Sequence, residues 1–210
     1  SLNGTWPLQV FAGMHVPDSL KDWLSYGFNT DNWQQVQVPG NWETVINKLK
    51  PPEYGSNLSA YTGLYRRTFN YNPIWEGTNR HVILRFDGVN FSYTVFINGQ
   101  KVGSCGSSFN MAQFDITPYL IKDHKNLLCI QVTTRSLATQ PKITRQFDTN
   151  DHWSLSGISR DVTLYTLANS YLKDIKFTTE VLKNDQARIA LNISLGSFNN
   201  GQKIGNGGLR

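Results

Sequence analysis

Apolar side chains recur at every second position along much of this chain, the period of a strand with one face buried. Val82, Leu84 and Phe86 alternate with His81, Ile83 and Arg85, and Leu128, Ile130 and Val132 repeat the pattern between Asn126 and Thr133. Residues 65–71 alternate large and polar side chains, Leu8 to Phe11 is a short apolar run, and 160–167 is rich in β-branched residues. Tyr93 to Ile97 runs straight into Asn98-Gly99. That dipeptide is the strongest short-range hairpin signal, and Lys101-Val102 opens the returning strand. Helical periodicity is scarce. It is limited to 19–24, to a stretch near 42–49, and to a turn at 117–121 that Asp115 and Thr117 would cap locally. Regular short strands with turn residues between them predict an all-β sandwich or barrel.

A boundary falls at 168–171. Beyond it, 172–181 and 187–195 predict two strands joined by Lys183-Asn184-Asp185. In the second, Ala187, Ile189, Leu191, Ile193 and Leu195 line one face, which therefore wants covering. Two strands seldom make a stable sheet alone. The remainder is Gly-rich, with no closing strand expected after Ile204. The expected organisation is a first domain over 1–170 and an incomplete second sandwich over 171–210, as in a fragment of a longer protein.

Composition narrows the function classes. At 210 residues the chain can bury roughly 70% of its unfolded surface. It carries 11 Phe, 9 Tyr and 6 Trp, a supply that suits sandwiches and sugar-handling surfaces. The net charge is +5, but the basic residues are scattered, and Arg66-Arg67 is the longest cluster. Nucleic-acid binding needs a basic stripe, so it is not expected. No apolar run reaches the length of a membrane span, so no membrane partner is expected either. Cys105 and Cys129 are too few for a disulfide framework and read as free thiols. Asn3, Asn57, Asn90 and Asn192 begin Asn-x-Ser/Thr sequons, a motif too short to imply secretion.

Several motifs occur in a telling order. Leu2-Asn3-Gly4-Thr5-Trp6 comes first, then Val38-Pro39-Gly40-Asn41-Trp42 and Tyr61-Thr62-Gly63-Leu64-Tyr65-Arg66-Arg67-Thr68-Phe69. Next come Leu84-Arg85-Phe86-Asp87-Gly88-Val89, the hairpin Val95 to Gly103, and Phe114-Asp115-Ile116-Thr117. The string closes with Asp151-His152-Trp153-Ser154-Leu155-Ser156-Gly157-Ile158-Ser159-Arg160-Asp161-Val162. Together they resemble the N-terminal sugar-binding domain of glycoside hydrolase family 2, the family of β-galactosidases, β-glucuronidases and β-mannosidases. The resemblance implies a galactose-binding-like jelly-roll β-sandwich, followed by the first strands of an immunoglobulin-like sandwich. It also implies a downstream (β/α)8 barrel as partner and a β-glycoside as ligand. A bacterial periplasmic or secreted location would suit the family, and a homo-oligomer is left open.

Most of the motif residues have structural work to do. Trp6, Trp33 and Trp42 read as core or seam, and Gly63, Gly88, Gly99 and Gly157 as suppliers of turn dihedrals. Arg160 and Asp161 read as neighbours in a strand that point to opposite faces.

Catalysis is not expected from these residues. A retaining glycosidase needs two carboxyl groups about 5 Å apart. The resemblance places both, as Glu, on the barrel. This chain has four Glu, at 43, 53, 76 and 180, and none follows an Asn as the family's acid/base does. No phosphate loop, Gly-x-Ser-x-Gly or zinc-ligand spacing is present, and the four His are dispersed at 15, 81, 124 and 152. No catalytic residue, metal ligand or cofactor is therefore assigned.

The substrate-binding candidates are Asp151 and Trp153. The resemblance implies an Asp six positions before the Gly of the Gly-Ile motif, as in β-glucuronidases, reaching sugar hydroxyls; Asp151 stands six before Gly157. A carboxylate accepts hydrogen bonds from two neighbouring hydroxyls. Trp153 would pack beside it or offer an aromatic face. Some β-galactosidases of the family carry an Asn and an Asp where this chain has Ala60 and Leu137 or Ala138. That departure argues against a galactosidase-type site with its monovalent cation. The alternative function is a free-standing carbohydrate-binding module presenting Tyr54, Tyr61 and Trp75. A purely structural sandwich is the third possibility.

Overall fold

The computed structural model describes residues 1–46, 61–77, 79–106, 110–134, 155–181, 186–198 and 207–209. The chain divides into two compact units, residues 1–73 with 82–165, and residues 74–81 with 166–210.

The first unit is a β-sandwich. Its larger sheet contains β1 (Gly4–Ala12), β2 (Gln34–Val38), β3 (Tyr61–Asn70), β5 (Ser92–Ile97), β6 (Gln100–Cys105) and β8 (Lys125–Thr133). They lie in the order β2-β1-β3-β8-β5-β6, and every neighbouring pair is antiparallel. The smaller sheet orders β7 (Ala112–Asp115), β4 (Arg80–Phe86) and β9 (Val162–Ala168) as β7-β4-β9. The alternation seen in the sequence accounts for the core. Tyr65, Tyr93, Val95, Leu128 and Ile130 are buried on the face toward the smaller sheet, where Phe86 sits 5.2 Å from Tyr93 and 6.1 Å from Phe114 between ring centres.

The outward face of the larger sheet is covered as well. The excursion between β1 and β2 lays Trp23 and Trp33 over Leu64, Leu127 and Cys129. Consequently β8 is buried on both faces through its middle. Arg66 also points outward, and its guanidinium donates to the carbonyls of Trp23, Ser25 (2.9 Å) and Tyr26 (3.4 Å). Burial pulls the Arg66 pKa down and pushes the thiol of its cross-strand neighbour Cys129 up to about 12. Neither cysteine is in a disulfide.

Among the described residues, the three helical stretches expected from sequence contain single 3-10 turns, Asp18–Leu20, Trp42–Thr44 and Thr117–Tyr119, and 47–49 lie outside the described residues. Asp115 caps the last of these, accepting from the Thr117 amide at 3.0 Å and its hydroxyl at 2.6 Å. The hairpin turn at Asn98-Gly99 uses positive φ at both residues, 51° and 81°. Trp6, Trp33 and Trp42 are all buried.

The second unit is built on one long hairpin, β10 (Ser170–Val181) with β11 (Ala187–Ser197). The expectation of no further strand is corrected: β12 (Gly207–Leu209) pairs with β11 through Ile193↔Leu209 and Leu195↔Gly207. One end of the unit is packed, with His81 stacked on Phe198 at 3.9 Å and Gly196 so close to Tyr171 that a Cβ would meet its ring at 2.5 Å. The rest of the hairpin is bare. Phe177 and Leu191 are cross-strand partners and stand 67% and 50% exposed.

Candidate functional site

Asp151 and Trp153 fall between Thr134 and Leu155 and lie outside the described residues, as do Tyr54, Ala60, Leu137 and Ala138. The residues that flank those segments are described, and they converge. The Thr134 amide donates to the Tyr61 carbonyl at 3.0 Å, and the Tyr61 amide donates to Thr134 Oγ1 at 2.9 Å. One residue earlier, the Thr133 carbonyl accepts from the Phe91 amide at 3.2 Å. Its neighbour Asn90 donates through Nδ2 to the Leu155 carbonyl at 3.0 Å. Thr133 and Leu155 are thus anchored to the adjacent residues Phe91 and Asn90, and the stretch 41–46 holds Ser156, next to Leu155.

That last contact depends on Trp42 and Glu43. The Trp42 amide donates to the Ser156 carbonyl at 3.1 Å, and both carboxylate oxygens of Glu43 lie 2.9 Å from the Ser156 amide. Burial raises the Glu43 pKa, partly offset by hydrogen bonds from its own backbone and from Ser156. Glu43 is the residue that sequence reasoning passed over. The sequence counts it only among the four Glu that do not follow an Asn, whereas its work is to satisfy a buried amide 113 positions away.

The Ser156-to-Arg160 motif is the centre of this lock. Asn90 and Gly157 exchange both backbone hydrogen bonds at 2.9 Å, and the Gly40 amide donates to the Ile158 carbonyl at 2.8 Å. Gly157 has φ +124°, and a Cβ there would lie 2.8 Å from the Gly40 carbonyl and 2.9 Å from the Tyr65 hydroxyl. Gly63 and Gly88 matter for a different reason than expected. Neither has a positive φ; instead a Cβ at Gly63 would overlap the Trp42 ring at 2.0 Å, and one at Gly88 would press on Arg160 Cδ at 3.0 Å. Trp42 in turn stacks on Tyr65, centroids 6.4 Å apart.

Arg160 and Asp161 are not yet in a strand, because β9 starts at Val162. Both line a polar hollow of about 570 Å³ with Arg85 and Asp87, which form an ion pair at 2.5 Å. Asp161 accepts from Asn3 Nδ2 at 2.9 Å, tying the start of the chain to the motif. Of the aromatic residues considered for a binding module, Tyr61 and Trp75 are half-buried and belong to different units. Among the described residues, no group of three or more His, Cys, Asp or Glu side chains converges as metal ligands would.

Comparison with known proteins shows the family and the fold. The family described as "Glycosyl hydrolases family 2, sugar binding domain" matches residues 1–168. A β-galactosidase of Kluyveromyces lactis is 30% identical over 211 residues, covering 93% of this chain and 19% of the relative. One from an Arthrobacter strain is 31% identical over 205 residues, covering 86% and 19%. A solved Bifidobacterium dentium β-glucuronidase superposes with a TM-score of 0.69 at 22% identity, over 94% of this chain and 35% of that one. The chain spans about a fifth of the length of the curated relatives it matches.

Proposed function

This chain belongs to the family of glycosyl hydrolases family 2 sugar binding domains, and we propose that it is the non-catalytic front portion of a β-galactosidase-like or β-glucuronidase-like enzyme. In this reading residues 1–170 form the sugar-binding jelly roll and 171–210 open an immunoglobulin-like sandwich. A downstream (β/α)8 barrel supplies the two carboxyl groups that break the glycosidic bond. The observation that carries the proposal is the convergence of Glu43, Tyr61, Thr134 and Leu155, which makes one end of the sandwich a platform from which the segments 47–60 and 135–154 depart. Loops on a rigid scaffold are where binding residues concentrate.

The chemistry assigned to the platform is positioning. Asp151 accepts hydrogen bonds from two adjacent glycone hydroxyls and orients the sugar under the barrel's carboxyl groups. Trp153 packs beside it. The sandwich itself braces the barrel. The apolar face of β10 and β11 supports the second half of the proposal, since a face with Phe177 and Ile189 two-thirds exposed is built to be covered by another sheet layer.

The test is Asp151→Ala in the full-length enzyme. Loss of a charged hydrogen-bond acceptor to substrate is worth about 1.5–3 kcal/mol, so kcat/KM should fall roughly ten- to a hundred-fold. A residue that serves the sugar alone predicts no change in thermal stability. Unchanged kinetics would remove Asp151 from the site.

A further inference from the structure

A cleft in the first unit is at the far end of β8 from the loop platform. It has a volume of about 640 Å³ and is lined by residues of three segments: 21–26, the Asn98-Gly99 turn, and 121–127. Lys125 pairs with Asn70 in the β3–β8 ladder and Thr133 with Thr62. At about 3.3 Å per residue the two ends are roughly 26 Å apart. The cleft is therefore at the opposite end of β8 from Thr133 and Thr134, which precede the segment 135–154.

Its walls are fixed from behind. Arg66 holds the Trp23, Ser25 and Tyr26 carbonyls, which sets the first wall. Asn98 donates to the Tyr119 carbonyl and to Asn126 Oδ1, both at 2.8 Å, and accepts from the Leu127 amide at 2.8 Å. Asn126 closes the network by bonding the Ile121 amide and carbonyl at 2.8 and 3.0 Å. Every polar group in this supporting network is used up in holding the backbone.

The side chains that face the cleft are the reverse. Tyr26 is 60% and Ile121 47% exposed, over a floor of Leu24 and Leu127. No described residue makes a hydrogen bond or ion pair to the charged ends of Lys21, Asp22 or Lys125. A preformed hollow with an apolar floor, an exposed aromatic ring and a few unengaged polar groups is the composition of a small-ligand site. The ring offers a flat face to the C–H side of a pyranose, and Asp22 can accept from hydroxyls. Two ammonium groups against one carboxylate leave the cleft one positive charge in excess.

We propose that this cleft is a second saccharide site, one that takes a short oligosaccharide bearing a carboxylate, a uronate-containing disaccharide being the smallest adequate ligand. The carboxylate seats between Lys21 and Lys125, Tyr26 stacks on the sugar ring, and Asp22 reads the hydroxyls. The site serves attachment to acidic glycan and does not depend on the assignment of Asp151.

Calorimetric titration of the 210-residue chain with digalacturonate and with a matched neutral disaccharide tests this. Binding at millimolar Kd or tighter is expected for the acidic probe, with the neutral probe at least about five-fold weaker. Tyr26→Ala and the double variant Lys21→Gln/Lys125→Gln should each weaken digalacturonate about ten-fold or more, and Asp151→Ala should leave it unchanged. These residues are exposed, so the variants should keep the wild-type melting temperature. Absence of binding at tens of millimolar probe, equal affinity for the neutral probe, or loss of binding in Asp151→Ala with Tyr26→Ala unaffected would each overturn the proposal.

Discussion

Two strands of this chain carry nearly the same alternating pattern and meet opposite fates. β8 places Leu128, Ile130 and Val132 against the smaller sheet and Leu127 and Cys129 against Trp23, and every one of these is buried. β11 places Ile189, Leu191 and Leu195 on one face, and they stand 68%, 50% and 39% exposed. The pattern specifies which face is apolar; only the neighbouring elements decide whether that face is covered. In the first unit, segments more than a hundred positions apart supply the cover, as when Leu2 donates its amide to the Val162 carbonyl at 2.8 Å. In the second unit the hairpin is long and regular but has no second layer among the described residues.

The contrast can be broken most sharply at Trp42. This ring fills the space above Gly63 and rests on Tyr65. Trp42→Ala should cost about 3–5 kcal/mol in chemical denaturation, most of what a domain of this size has to spare. A loss under 1 kcal/mol would mean that the seam is not what holds the loop platform.

Glu43 gives a smaller effect with a signature of its own. Its pKa is raised in the folded state above the ordinary 4.5, so the native chain holds the proton more tightly than the unfolded one. The contribution is present below the unfolded value and is lost as pH rises through the raised value. Glu43→Gln removes that loss and keeps one acceptor for Ser156. Melting temperatures of wild type and variant, followed upward from pH 4, should therefore shift in favour of the variant as pH rises. A difference that does not vary with pH would show that Glu43 is not held in the buried state described. Glu43→Ala, which strands the Ser156 amide, should cost about 1–3 kcal/mol across the range.

The hairpin should give the smallest effect. Phe177→Ser lies on the bare face, so in this chain its effect on stability should stay within about 0.5 kcal/mol. In the full-length protein the same change should cost several times more if another sheet covers the face. Equal small effects in both would leave the hairpin as a surface element.

Much of this was legible in the sequence because the signals were local. Asn98-Gly99 fixes a hairpin by its own dihedrals, Asp115 caps a turn two residues away, and the alternation in β4, β5 and β8 gives the inward face directly. What was missed depends on distant partners. Gly63 and Gly88 read as turn formers, yet they are small because Trp42 and Arg160 lie against them, which no local window contains. Glu43 has its partner at Ser156. β2 was passed over because a short edge strand with Val36 and Val38 inward offers too little pattern, and β12 because Gly207 and Gly208 have no side chains to show one. The candidate site divides along the same line. Its frame is encoded in the Ser-Gly-Ile motif, whereas Asp151 and Trp153 lie outside the described residues and rest on resemblance.

The tethering of Thr134 to Tyr61, and of Leu155 to Asn90 beside the Phe91 that holds Thr133, has a consequence for how such a protein can change. When both ends of an insertion are tied together by the scaffold, its length is nearly free: each doubling costs only about 0.6 kcal/mol in closure entropy. The 20 residues between these anchors could be lengthened, shortened or replaced with little thermodynamic penalty, while the motif that clamps the ends could hardly change at all. A lineage that keeps the clamp can try new loops against new glycosides without having to refold the sandwich each time.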